Sequence, residues 1–134
     1  MALRPVFLDT DILIDHLRGD GEATRLIEAL EGTSLLLTTT VTVFELYYGA
    51  HRTRRSVEGV QAIRRLLERM SVVGVDGDAA EKAGEIAAGL ERVGVPMGFG
   101  DVLIGAVVLV NNGELLTRNT RHFERIPGLR LVKS

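Results

Sequence analysis

VFLDTDILIDHLR, residues 6–18, is the stretch that decides how this chain folds. Val6-Phe7-Leu8 is a short, continuous apolar run of the kind a buried strand makes, and Asp9 ends it. From Asp11 to Arg18 the pattern turns helical, and Gly19-Asp20-Gly21 closes it. A buried strand that runs at once into a helix is the opening unit of an α/β layered fold.

The same alternation continues outward from this unit. Ala23, Leu26, Ile27 and Leu30 recur with the helical period, and Gly32 stops them. Leu35 to Thr38 reads as a second strand. Thr40 is placed to cap a helix from Val41 to about Ala50. Ser56 is placed to cap the next, with Val57, Val60, Ile63, Leu67 and Met70 along one stripe. Val72 to Val75 is a third strand. Asp78 is placed to cap a helix carrying Ala79, Ala83, Ile86, Ala87 and Leu90, which Gly94 and Pro96 end. Asp101 to Asn111 is almost wholly apolar, so this helix is expected to be buried on most sides. Asn112-Gly113 turns the chain into a fourth strand, Glu114 to Thr117. A short helical turn, Thr120 to Arg125, and a last strand, Leu129 to Val132, complete it. The pattern predicts a mainly parallel sheet, whose ligands bind beyond the carboxyl ends of its strands.

At 134 residues the chain is long enough for one domain with a real core. It has no cysteine, which excludes disulfides, thiolate metal sites and thiol nucleophiles and fits a reducing, cytoplasmic setting. The lead-in Met1-Ala2-Leu3-Arg4-Pro5 lacks the layout of a signal peptide. The longest apolar stretch, Val102 to Val110, is about half what a membrane span needs. A net charge of −2 gives no overall attraction to nucleic acid. Basic residues are instead local: Arg52, Arg54 and Arg55 beside His51, and Arg118 and Arg121 beside His122. Each group suits either a solvated face or contact with phosphate or an acidic partner.

Three acids stand where the chain is otherwise most apolar. Asp9 follows Val6-Phe7-Leu8, Glu45 lies between Val43-Phe44 and Leu46-Tyr47-Tyr48, and Asp101 precedes Val102-Leu103-Ile104. A carboxylate beside a core is costly unless something pairs with it. No Lys or Arg adjoins any of the three in sequence. Either the fold delivers a cation or the three acids meet around a metal. Taken singly, Asp9 and Asp101 suit helix caps, and Glu45 needs a partner such as Arg52 or Tyr48. Taken together, they suit a hard divalent ion, Mg²⁺ or Mn²⁺, that shares its coordination with phosphate oxygens.

The segments LDTDILIDHLRG (8–19), TTTVTVFELYYGAHR (38–52), GDVLIGAVVL (100–109) and LLTRNTRHFERIPGLRL (115–131) resemble the motif blocks of PIN-domain ribonucleases. They are most similar to the VapC toxins of bacterial toxin–antitoxin pairs. The resemblance runs through almost the whole chain, in the family's order and spacing. It implies that residues 1–134 form a single PIN-like domain of three layers, a central, mainly parallel five-stranded sheet flanked by helices. It implies a metal-dependent endoribonuclease with Asp9 and Asp101 as the most direct ligands of Mg²⁺, or Mn²⁺ in its place, and Glu45 completing the site directly or through water. The partners it implies are an RNA substrate, a VapB-type antitoxin and a second copy in a homodimer, with no membrane. The fourth block departs from the fuller pattern. Where many relatives carry an acid before the Phe, this chain has His122 before Phe123, with Asn119 three residues earlier. Asn119 can supply a neutral oxygen, and His122 can contact phosphate or protonate a leaving group. Thr10 and Thr117 are placed either to orient the ligands or to cap locally.

Two other readings compete. One is a PIN-fold binding module that has lost catalysis, favoured by His122 in place of an acid. The other is an aspartyl-nucleophile phosphatase, since Asp9-Thr10-Asp11 also resembles the haloacid-dehalogenase-like motif. That family expects Thr or Val where this chain has Leu13, and a paired acid soon after Asp101, where none comes before Glu114.

Overall fold

The computed structural model describes residues 3–133; Met1 and Ala2 of the lead-in lie outside them. Five strands, β1 (Arg4–Leu8), β2 (Ser34–Thr39), β3 (Ser71–Val73), β4 (Glu114–Leu116) and β5 (Arg130–Leu131), form one sheet in the order β3-β2-β1-β4-β5. Every neighbouring pair is parallel. Seven helices complete the described residues: α1 (Thr10–Leu17), α2 (Gly21–Glu31), α3 (Thr40–His51), α4 (Ser56–Leu67), α5 (Gly77–Arg92), α6 (Phe99–Val110) and α7 (Thr120–Phe123). The predicted layered architecture is the one observed.

Alternation along β1 explains the layers. Val6 and Leu8 point to one face of the sheet and join Ile12, Leu13, Ile27, Leu46 and Ile63 from α1 to α4. Phe7 points to the other and joins Ala83, Ile86, Val107 and Val108 from α5 and α6. All three β1 residues are fully buried, since a central parallel strand has helices over both faces. Burying Phe7 alone is worth roughly 2–3 kcal/mol. The apolar run after Asp101 is confirmed as the most buried helix, with Val102, Ile104, Gly105, Ala106, Val107 and Val108 all inside. No helix among the described residues is long and apolar enough to cross a membrane.

The caps differ from the sequence reading at several helix starts. Thr39, not Thr40, caps α3 by accepting from the Thr42 amide. Asp76, not Asp78, caps α5 by accepting from the Ala79 amide. Ser56 is the first residue of α4, whose cap position holds Arg55 with no side-chain bond, and Val57 is exposed. Neighbouring polar residues at a helix start are equally good caps by type, and the tertiary exit angle of the preceding strand selects between them. The strand predicted over Val72 to Val75 is shorter and begins at Ser71, because it is paired only opposite Leu37 to Thr39.

The order of strands places the site. From β1 the chain moves outward to β2 and β3, then returns to β4 on the other side of β1. The carboxyl ends of β1 and β4 therefore flank the point where strand order reverses, the usual ligand crevice of such a sheet.

Candidate active site

Asp9 leaves the end of β1 and stands beside the end of β4, its amide donating to the Leu116 carbonyl at 3.0 Å. It is 5% exposed. One carboxylate oxygen accepts from the Thr10 amide at 2.8 Å, so Asp9 does cap α1. The other accepts from the Thr117 hydroxyl, also at 2.8 Å. The capping and functional roles are thus compatible in one side chain. Burial pushes its pKa up from 3.8 to about 7, and the charge of Asp11 adds to this, with a smaller push from Asp101. The Thr117 and Thr10 donors oppose the rise without cancelling it.

Glu45 lies midway along α3, half-buried. Its partner is neither Arg52 nor Tyr48 but Thr10, whose hydroxyl donates to Oε1 at 2.6 Å. Arg52 instead lies over the Tyr48 ring, 5.1 Å from its centre. Asp101 is the third residue of α6 rather than its cap, because α6 begins at Phe99 and Gly98 occupies the cap position. The Gly98-Phe99-Gly100 run does not adopt an unusual backbone. Gly100 matters for space: a Cβ there would stand 3.3 Å from Glu45 Oε2, so a glycine lets the start of α6 approach α3.

These elements leave an open cleft of about 380 Å³ lined by Asp9, Thr10, Asp11, Ile14, Glu45, Tyr48, Asp101, Asn119 and Phe123. The three acids singled out in the sequence are therefore neighbours in space. They do not form a ready ligand cluster: among the described residues, no three acidic or imidazole groups converge as they would around an ion. Each acid is held by a protein donor instead. Asp9 is held by Thr10 and Thr117, Glu45 by Thr10, and Asp101 by His122, whose Nε2 lies 2.8 Å from Oδ2.

The question of a compensating cation has a clear answer. Among the described residues, no Lys or Arg pairs with Asp9, Glu45 or Asp101. Arg118 is committed to Asp15, Asp20 and Glu22. Arg55 pairs with Glu58 on the exposed side of α4. Among the described basic side chains, only the His122 imidazole reaches an acid of the cleft. Among the described residues, a buried carboxylate raised toward neutrality and two further acids meet no Arg or Lys; carboxylate oxygens are the donor type that a hard divalent cation takes, but here they do not converge on one point.

Asn119 occupies the cap position of α7 but its side chain makes no cap bond, which leaves its amide free to face the cleft. Thr10 and Thr117 both orient acids, as one of the two sequence readings expected. Asp11, the first residue of the predicted helix, is not among the expected metal ligands. It nevertheless lines the cleft, accepting from the Thr117 hydroxyl at 3.3 Å and the Arg118 amide at 3.1 Å. Its signal was the second acid of Asp9-Thr10-Asp11, two residues past a buried strand.

Comparison with known proteins agrees with the fold. Residues 6–129 match the family described as PIN domain. The chain is 32% identical over 123 residues to the tRNA(fMet)-specific endonuclease VapC of Shigella flexneri, covering 92% of each. Among solved structures, that of DNA-bound VapBC from Salmonella typhimurium superposes with a TM-score of 0.89 at 29% identity, covering 97% of this chain and 98% of that one. VapBC2 from Rickettsia felis, bound to a DNA fragment from its promoter, has the same fold, with a TM-score of 0.90 at 23% identity over 96% and 97% of the two chains.

Proposed function

The chain belongs to the PIN-domain family, and from that premise we propose that it is a metal-dependent endoribonuclease, the toxin of a VapBC-type pair. The observation that carries this reading is the cleft at the ends of β1 and β4, where Asp9, Glu45 and Asp101 gather and, among the described residues, no Lys or Arg neutralises them. The relatives named as VapC endonucleases support it and do not favour a phosphatase or a non-catalytic module.

Asp9 and Asp101 would hold Mg²⁺ or Mn²⁺, with Glu45 completing the site. When bound, such an ion supplies a shield for phosphate charge and a water of lowered pKa. The chain's own residues do the positioning. Thr117 and the Thr10 amide fix the two oxygens of Asp9, and the Thr10 hydroxyl fixes Glu45. Asn119, at the mouth, is placed to donate to a phosphate oxygen or a ribose hydroxyl. The exposed Phe44 and Tyr48 rings, stacked 5.8 Å apart beside the acids, offer an apolar wall to an unstacked base. No protein nucleophile is required.

The antitoxin reading has its own support. Between α1, α3 and α4 runs a separate open groove of about 260 Å³, floored by Ile14, Leu17, Leu46, Ala50, Ala62 and Ile63. It reaches Glu45 at one end, so an apolar segment of a VapB-type partner seated there would end beside the acids. The solved relatives described as VapBC complexes make this the first partner to test, and a homodimer and cytoplasmic action on RNA belong to the same reading.

The test is 5′-end mapping of cellular RNA, including initiator tRNA, incubated with purified antitoxin-free protein. Discrete new ends that require Mg²⁺ or Mn²⁺, vanish with EDTA and vanish in Asp101→Asn are the expected result. Folded protein that yields no metal-dependent ends overturns the nuclease reading.

A further inference from the structure

Arg118 stands between Thr117, which holds Asp9, and Asn119, which lines the cleft. The helix that follows, α7, has four residues and no side-chain cap, too short to fix its own position. It has to be held from both ends. Phe123, 1% exposed, anchors the far end in the core. Arg118 anchors the near end. Its backbone N–H donates to Asp11 Oδ2 at 3.1 Å. Its guanidinium lies 2.9 Å from Asp15 Oδ2 in α1, 3.2 Å from Asp20 Oδ1 at the cap of α2, and 3.6 Å from Glu22 Oε1 in the first turn of α2.

A single exposed ion pair orients little. One planar guanidinium shared by three carboxylates from two helices is different, because its fork can satisfy them in few arrangements. Three acids around one cation also leave Arg118 no surplus charge for an RNA phosphate, although its basic cluster suits that role by sequence. We propose that Arg118 is a positioning residue of the site: its clamp on α1 and α2 sets the loop that delivers the Thr117 hydroxyl to Asp9 and Asn119 to the mouth of the cleft. The proposal rests on the metal-centre reading above and deepens it. Arg118 touches none of Asp9, Glu45 and Asp101 through its side chain. It acts through Thr117, whose hydroxyl donates to Asp9 and accepts from the Asn119 backbone N–H at 3.0 Å. With the clamp open, the loop and α7 are held only by Thr117, the Arg118 backbone and Phe123, and the donor on Asp9 is no longer fixed.

The experiment combines amide hydrogen exchange of the metal-free protein, read at Arg118 and Asn119, with calorimetric titration of Mn²⁺ into RNA-free wild type, Arg118→Gln, Arg118→Lys and Asp15→Asn. Circular dichroism confirms that each variant is folded. In Arg118→Gln the protection of both amides and the Mn²⁺ affinity are each expected to fall about tenfold, while the Asp9 amide, bonded to Leu116, keeps its protection. Arg118→Lys, which keeps the charge but not the fork, recovers part of both losses. Asp15→Asn opens the clamp from its other side and shifts both readouts in the same direction, so the result stands even if Arg118→Gln fails to fold. Protection lost with Mn²⁺ affinity unchanged makes the clamp purely structural and overturns the proposal. Both unchanged, with weaker RNA binding and a salt slope reduced by about 1, overturns it in favour of a phosphate contact. No Mn²⁺ or Mg²⁺ binding by the folded wild type overturns the metal-centre reading and the role of Arg118 in it, whatever the exchange shows.

Discussion

Thr117 donates its hydroxyl to Asp9 at 2.8 Å, joining residues 108 positions apart in sequence. The contact exists because β4 pairs with β1 and both strands end together: Leu8 lies opposite Leu116. The same hydroxyl accepts from the Asn119 backbone N–H at 3.0 Å, so one side chain orders both the buried acid and the loop that leads to His122.

Thr117→Val keeps the shape of this side chain and removes its hydrogen bonds. Asp9 then loses the donor on one oxygen, and the loop loses its acceptor. The expected outcome is a loss of about 10–100-fold in metal affinity, with a smaller effect on RNA binding. Titration of Mn²⁺ against RNA-free protein checks it. An unchanged metal affinity would show that Thr117 has only a local structural role.

Asp9 makes the metal-free protein less stable as pH rises. Its folded pKa of about 7 exceeds the value of 3.8 expected when unfolded, so between these limits the folded state binds more protons. Stability from this group is therefore lost progressively from about pH 4 to about pH 7 and stays lost above. Asp9→Asn removes the charge and keeps an acceptor for the Thr10 amide. In urea unfolding with EDTA, the variant is expected to be more stable than wild type at about pH 8, by on the order of 2–4 kcal/mol. The gap should be smaller at about pH 5. A gap that does not grow with pH would contradict the account, and the variant is expected to lose metal-dependent cleavage in any case.

Gly113 touches the core through its missing side chain. A Cβ there would come within 2.7 Å of the Phe7 ring and 3.4 Å of the Pro5 carbonyl. Phe7 is completely buried, so its ring has nowhere to move. Gly113→Ala should destabilise the fold by roughly 1–3 kcal/mol through overpacking. The site lies at the opposite end of β1, so cleavage per folded molecule should be retained. Thermal unfolding with parallel activity measurement tests both halves.

Ala62 lies on the floor of the groove between α1, α3 and α4 and is partly exposed. Ala62→Glu places a charge where an apolar antitoxin segment would sit. Co-purification with the antitoxin should fall at least tenfold, while RNA cleavage by the free protein is unaffected. Retained capture would move the antitoxin to another face.

Much of this was legible in the chain itself. Val6-Phe7-Leu8 is apolar at every position because a central parallel strand is covered on both faces, and that run announced its own place. Asp101 to Asn111 was legible for the same reason. Asp9, Glu45 and Asp101 stood out because carboxylates beside such runs need an explanation. What failed to show were the caps, where neighbouring residues such as Thr39 and Thr40 compete on nearly equal terms. The partner of Glu45 was hidden too, because Thr10 lies 35 residues away on another helix.

The sequence by itself determined the alternation of strand and helix, the buried status of β1 and α6, and the acids that would be costly without compensation. These follow from local composition and period, which the chain carries at every point. Only the tertiary structure decided that Arg118 turns to Asp15, Asp20 and Glu22, that of the described basic side chains His122 reaches the acids, and that Thr117 and Thr10 hold them. Pairings of this kind depend on which strand ends become neighbours, and that is set by the packing of the whole sheet rather than by any stretch of the chain.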